Sequence, residues 1–309
     1  MIDRSGAFAR AIETMVAVVV LAALLVAAVA VRGRVNPGDT LVLGGGAPGV
    51  GLAAGVAAGL SPVALKGAAA DALEAAHAKG AAGITFEIVQ IATLHAKAGG
   101  PKIDVPDPNS RGSLGLADEY QTGSTIERGV YTPDGFWMEM RAGPAKGDEP
   151  DWDHATYEFG ALVTAGRTYR NDGEGWYETD SPPGIGLDPA TAALLPSLLR
   201  NATNPVDAGA AAIGGLPVRN VTAGAKLADA PGIMAVDAKP FTKLSGPVTF
   251  AFDDRGRVAQ LHAVTQNTNE TTFDLLIDTV ITFGYPLTAD PMPDPTPAWA
   301  PPATTAPKG

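Results

Sequence analysis

The sequence predicts an α+β domain, mainly antiparallel β, behind one membrane-spanning helix. Three observations carry this: an unbroken apolar run near the N-terminus, alternating segments joined by Asp/Gly turns, and a leucine-rich helical stretch interrupting those strands. Strands that run consecutively, break for a helix and then resume argue against a parallel doubly wound sheet.

The apolar run is Met15 to Val31, MVAVVVLAALLVAAVAV, flanked by Arg4, Arg10 and Glu13 before it and by Arg32 and Arg34 after it. As a helix it spans about 26 Å, slightly short of a hydrocarbon core of about 30 Å, and snorkelling arginines close the gap. Two readings stay open, a retained anchor and a signal cleaved after Ala28-Val29-Ala30. With two arginines on each side, the positive-inside rule does not choose the orientation. Residues 40–65 are uncharged but rich in glycine and contain Pro48, which favours a Gly/Ala stalk over a second span. The GGGAPGVG substring lacks the Lys-Ser/Thr ending of a phosphate loop.

A helix is expected from Leu65 to Lys79, with Leu65, Leu73 and alanines on one face and Gly80 as its stop. Strands follow at Ile84–Ile88, Phe136–Arg141 and Tyr157–Ala161, each alternating apolar with polar residues. Pro133-Asp134-Gly135, Asn171-Asp172-Gly173 and Asp253-Asp254-Arg255-Gly256 are the hairpin turns, since Asp and Gly supply the tight-turn conformations. Asp188-Pro189 marks a second helix through Leu194, Leu195, Leu198 and Leu199, which Pro196 is expected to kink or divide. The last strands are expected at Pro217–Ala223, Val248–Phe252, Val258–Val264 and Phe273–Phe283, before a proline-rich extended tail. The division is a cytoplasmic segment 1–14, an anchor or signal 15–31, a stalk 32–64, the main domain 65–288 and a disordered tail 289–309.

Chemistry is sparsely signalled. A formal net charge of -11 and a pI near 4.8 exclude the basic stripe that nucleic-acid binding needs. With no cysteine there is no disulfide, thiolate metal site or cysteine nucleophile. His77, His95, His154 and His262 are scattered, without metal-ligand spacing, and the acidic Asp151-Trp152-Asp153-His154 loop reads as a connection between strands. Neither a GxSxG elbow, an HExxH helix nor an SxxK pair is present, so the expectation is a protein that is not an enzyme and needs no cofactor or metal.

Two stretches carry a resemblance. Tyr157 to Thr179, YEFGALVTAGRTYRNDGEGWYET, gives two strands, an Asp-Gly turn and Gly-Trp-Tyr; Val248 to Pro286 gives a strand, an Asp/Arg/Gly turn, two long strands and Phe-Gly-Tyr-Pro. This succession resembles the LolA/LolB-like lipoprotein superfamily, nearest its actinobacterial LprG/LppX-type glycolipid-carrier branch. The resemblance implies a curved, incomplete β-barrel whose concave face is covered by helices, with an apolar cavity holding acyl chains. It also implies that the segment at Leu194, Leu195, Leu198 and Leu199 is a lid. Phe86, Ile88, Phe136, Met138, Met140, Phe159, Val163, Phe250, Phe252, Leu275 and Ile277 are then the sheet residues of the cavity, while each also suits an ordinary packed core. Trp137 and Trp176 read as sheet-face or rim residues.

The missing cysteine departs from the family, whose members carry an acyl anchor there; an apolar helix takes its place. The expected function is a membrane-anchored, extracytoplasmic, single-pass protein that binds lipid or acylated glycolipid for envelope lipid transport, partnered by the membrane and by an envelope transporter or regulator. The alternative is a regulatory or structural envelope module with a filled core, acting by protein–protein contact.

Overall fold

The computed structural model describes residues 51–53, 55–78, 81–106, 113–146, 149–150, 157–172, 175–180, 189–226, 245–267 and 273–286. The expected membrane span at 15–31, most of the stalk, the Asp151–His154 loop and the tail lie outside them. Among the described residues no helix is long and apolar enough to cross a membrane.

A short 3₁₀ turn (Val56–Gly59) leads into helix α1 (Pro62–Ala76). Strands β1 (Ile84–Ala96), β2 (Ile103–Pro106), β3 (Ser113–Ala117), β4 (Glu119–Thr132), β5 (Gly135–Gly143), β6 (Ala145–Lys146), β7 (Glu149–Pro150), β8 (Tyr157–Thr164), β9 (Arg167–Asn171) and β10 (Trp176–Thr179) follow. Helix α2 (Pro189–Asn201) precedes β11 (Thr203–Ile213), β12 (Leu216–Lys226), β13 (Ser245–Phe252), β14 (Val258–Asn267) and β15 (Phe273–Gly284).

Eleven strands form one antiparallel, unclosed sheet in the order β10-β9-β8-β5-β4-β1-β15-β14-β13-β12-β11. Two meanders grow outward from β1, which pairs with β4 on one side and β15 on the other. Since α2 lies between β10 and β11 in the chain, it links the two free edges of the sheet. The hairpins follow turn chemistry: β11 meets β12 across Gly214-Gly215, with φ of 54° and 82°, the left-handed pair that a two-residue turn requires. Asp253 closes the β13–β14 turn by accepting from the backbone N–H groups of Arg255 (3.0 Å) and Arg257 (2.9 Å) and from Arg257 Nε (2.7 Å).

α1 starts earlier than expected. Ser61 accepts a hydrogen bond from Ala64 N at 3.2 Å and Pro62 occupies the first turn, an N-cap that adds a turn before Leu65. Its end is also earlier, at Ala76, with His77 as C-cap. α2 settles one of the two alternatives for Pro196: the helix is not divided but runs unbroken with Pro196 inside it. Proline removes one intrahelical hydrogen bond, and the burial of Ala192, Leu195, Leu198 and Leu199 on one face holds the helix in register. Residues at the end of the expected stalk are docked on the domain. Leu52 N donates to Arg255 O (2.8 Å), Gly55 N donates to Asp254 O (3.0 Å), Ala57 is buried, and the Leu60 carbonyl accepts from Arg219 Nη1 at 2.6 Å.

Candidate functional site

Strand register places the site on one face of the sheet. Side chains opposite one another in an antiparallel ladder share a face, so the pairings Ile84↔Tyr131↔Phe136↔Val163 form one row across β1, β4, β5 and β8. The next row runs Phe283↔Phe86↔Gly129↔Met138↔Ala161, and the third Ile281↔Ile88↔Glu127↔Met140↔Phe159. On the other side Ile281 continues through Leu261 and Phe250 to Val221.

These rows join both helices in one apolar cluster. Phe86, Ile88, Phe136, Met138, Phe159, Phe250, Phe252, Ile277, Leu195, Leu198 and Leu199 are buried in it, and Met140, Val163 and Leu275 pack against it half-buried. Phe86 stacks near Phe136 with ring centroids 6.1 Å apart, and Phe250 near Phe252 at 6.2 Å. Of the residues expected to line a cavity, only Leu194 lies outside this buried cluster. It is 39% exposed, because the buried stripe of α2 follows 192, 195, 198, 199 and 202, and position 194 lies outside that stripe.

The helices are fastened to each other as well as to the sheet. Lys66 is buried on α1, and its ammonium donates to the carbonyls of Arg200 (3.3 Å) and Ala202, at the C-terminus of α2 where the helix dipole favours a cation. Desolvation holds its pKa below the usual lysine value. Arg200 Nη2 donates to Asp71 (2.7 Å) and to Glu74 (2.8 Å) on the exposed side of the same junction. At the end of α1 the His77 ring meets Tyr131 edge-on at 4.6 Å, and burial pushes His77 down to about 4.

One row of the apolar face contains a carboxyl. Glu127 is 0% exposed, opposite Ile88 and Met140, and neither of its oxygens has a hydrogen-bond partner among the described residues. Burial raises its pKa to about 8. One step along the strands is a polar belt: Gln90 Nε2 donates to Thr279 Oγ1 at 3.2 Å, and Thr125 Oγ1 donates to Gln90 Oε1 at 3.4 Å. Beyond the belt, β1 from Ile91 to Ala96 is half-buried at every residue.

Comparison with solved structures aligns this chain with LprF from Mycobacterium bovis, at 14% identity and a TM-score of 0.40, over 76% of this chain and 96% of that one. Lipoprotein LppX from Mycobacterium tuberculosis aligns at 13% identity and 0.27, over 65% and 89%; a LolA superfamily protein from Nitrosomonas europaea aligns at 5% and 0.20, over 68% and 87%. No family model and no curated protein matches this chain.

Sequence patterning missed Glu127 altogether. In EYQTGSTIERGVYT, Ile126 and Val130 are the visible apolar pair, which makes the intervening Glu127 read as solvent-facing. In the structure both faces of β4 are buried at this point: Ile126 is 7% exposed and Val130 7%, on the face that carries Trp137 and Leu162. Trp137 and Trp176 lie away from the apolar rows; a Cβ on Gly160 would lie 3.0 Å from the Trp176 ring.

Proposed function

We propose that the helix-covered face of this sheet holds acyl chains, making the protein a non-enzymatic, extracytoplasmic lipid- or glycolipid-binding protein of the cell envelope, tethered by the helix at Met15 to Val31. The observation that supports it is the single apolar cluster of Phe86, Phe136, Met138, Phe159 and Phe250 beneath α1 and α2. In this reading the sheet curls into an incomplete barrel, which brings its two free edges within easy reach of the connection that carries α2. A flat sheet of this strand number would separate those edges by about 48 Å. α2 is the lid, and a chain enters by parting the helices from the sheet. About ten sheltered methylenes would contribute on the order of 8 kcal/mol, against which ordering costs are set, so firm binding needs no covalent chemistry.

A second reading, a regulatory or structural module with a filled core, is favoured by the tightness of the cluster, in which Phe86, Phe136 and Phe250 are all 0% exposed. Purification of the full chain from a membrane-bearing host, solvent extraction and mass spectrometry separate the two. Acyl lipid in stoichiometric amount is expected; a lipid-free chain that also fails to take up a fluorescent fatty acid contradicts the carrier reading.

A further inference from the structure

We propose that Glu127 is a recognition residue for the polar end of the ligand, and that the ligand class is a neutral acylated polyol whose free hydroxyl donates to the Glu127 carboxyl. This rests on the acyl-binding reading above and names the chemistry it leaves open.

The Glu127 carboxyl is fully buried between Ile88 and Met140 and neither oxygen has a hydrogen-bond partner among the described residues, so it stabilises nothing that the structure shows. A buried polar group without a partner is costly, and an apolar residue of the same size would serve packing better. Its position is also specific. Along β4, Glu127 stands between Gly129 and Thr125 on the same face, and so between the aromatic rows of Phe86 and Phe136 and the belt formed by Gln90, Thr125 and Thr279. A ligand whose chain runs over Phe86, Met138 and Phe250 would bring its head to this boundary.

The belt consists of an amide and hydroxyls, groups that hydrogen-bond neutral ester and hydroxyl oxygens. A phosphate or carboxylate head would bring a charge to this buried boundary, where the belt of Gln90, Thr125 and Thr279 offers no cation to pair it, and an unpaired buried charge is costly. A hydrocarbon head would leave the carboxyl unpaired. A hydroxyl next to an ester satisfies both the carboxyl and the belt.

The test uses the full chain in mild detergent and two probes of equal acyl length, 1-monooleoylglycerol and methyl oleate, titrated by displacement of a fluorescent apolar reporter. The wild type is expected to bind monooleoylglycerol about tenfold more tightly than methyl oleate, the size of effect that one hydrogen bond to a buried polar group gives. In Glu127→Leu that ratio is expected to fall to about one, and in Glu127→Gln, which keeps an acceptor, to an intermediate value. Equal binding of the two lipids by the wild type, or a ratio that survives in Glu127→Leu, overturns the proposal while leaving the acyl-binding reading intact. If neither lipid displaces the reporter, both fail. Should Glu127→Leu not fold, the wild-type ratio alone decides.

Discussion

The Lys66 ammonium on α1 donates to the carbonyl of Ala202, the first residue past α2, so that one buried cation ties the end of one covering helix to the flank of the other. Replacing it with methionine keeps the aliphatic stem and leaves the Ala202 and Arg200 carbonyls without this donor. Lys66→Met is expected to lower stability by about 1–3 kcal/mol in urea unfolding. Arg200→Ala removes an exposed ion-pair group and is expected to do much less, with an effect that fades as salt is added.

Glu127 and His77 give the domain opposing pH dependences. Glu127 stays protonated in the fold up to about 8, whereas its ordinary value is 4.5, so between these values the folded state holds the extra proton. Its contribution is therefore fully present below about 4.5 and is lost as pH rises towards 8, by an amount on the order of a few kcal/mol. His77, pushed down from 6.5 to about 4, has the opposite sign: the unfolded state holds the extra proton, and stability is lost as pH falls through that window. Urea midpoints measured from pH 4 to 9 should fall on the alkaline side, and Glu127→Gln should flatten that limb alone. An unchanged alkaline limb in Glu127→Gln would show that the carboxyl is not buried as described.

Two glycines are expected to respond with opposite signs to alanine. A Cβ at Gly129 would lie 2.2 Å from the Trp137 carbonyl and 2.6 Å from the Phe86 ring, so Gly129→Ala forces β4 away from β5 or from the aromatic row. A loss of about 1–3 kcal/mol is expected, as for other overpacked cores. Gly67 lies within α1 with nothing within 4 Å of an added Cβ, and Gly67→Ala should stabilise by about 0.5–1 kcal/mol through helix propensity. Thermal melts of the two variants check the pair.

Leu195 and Leu194 test the orientation of the lid helix. Leu195 is 2% exposed and Leu194 is 39% exposed. Leu195→Ala is expected to cost about 2–5 kcal/mol, and Leu194→Ala less than about 1 kcal/mol. Equal losses would mean that α2 is rotated from the position described.

Most of the sheet was legible in the sequence because its turns announce themselves. Pro133-Asp134 and Asp253-Asp254-Arg255-Gly256 each sit between alternating strands, and hairpins form at both. β11 was hidden: NPVDAGAAAI has neither alternation nor large residues, and as an edge strand exposed along most of its length it needs neither. The start of α1 was carried by Ser61-Pro62, the same kind of cap-plus-proline signal that revealed α2 at Asp188-Pro189, but it lay inside a glycine-rich run read as stalk. Of the site, alternation found the apolar rows, since each expected strand residue lies on the helix-covered face. Glu127 on β4 and Lys66 on α1 were concealed because a charge is read as solvated until a second layer is known to cover it.

Whether acyl chains lie between α1, α2 and the sheet is read out by photo-crosslinking a diazirine-bearing fatty acid to the full chain and mapping the labelled peptides. Label is expected on the β5 and β8 peptides containing Met138, Met140 and Phe159 and on the α2 peptide containing Leu195 and Leu198. Label confined to Met15 to Val31, or spread over the opposite face around Trp137 and Leu162, would contradict that placement.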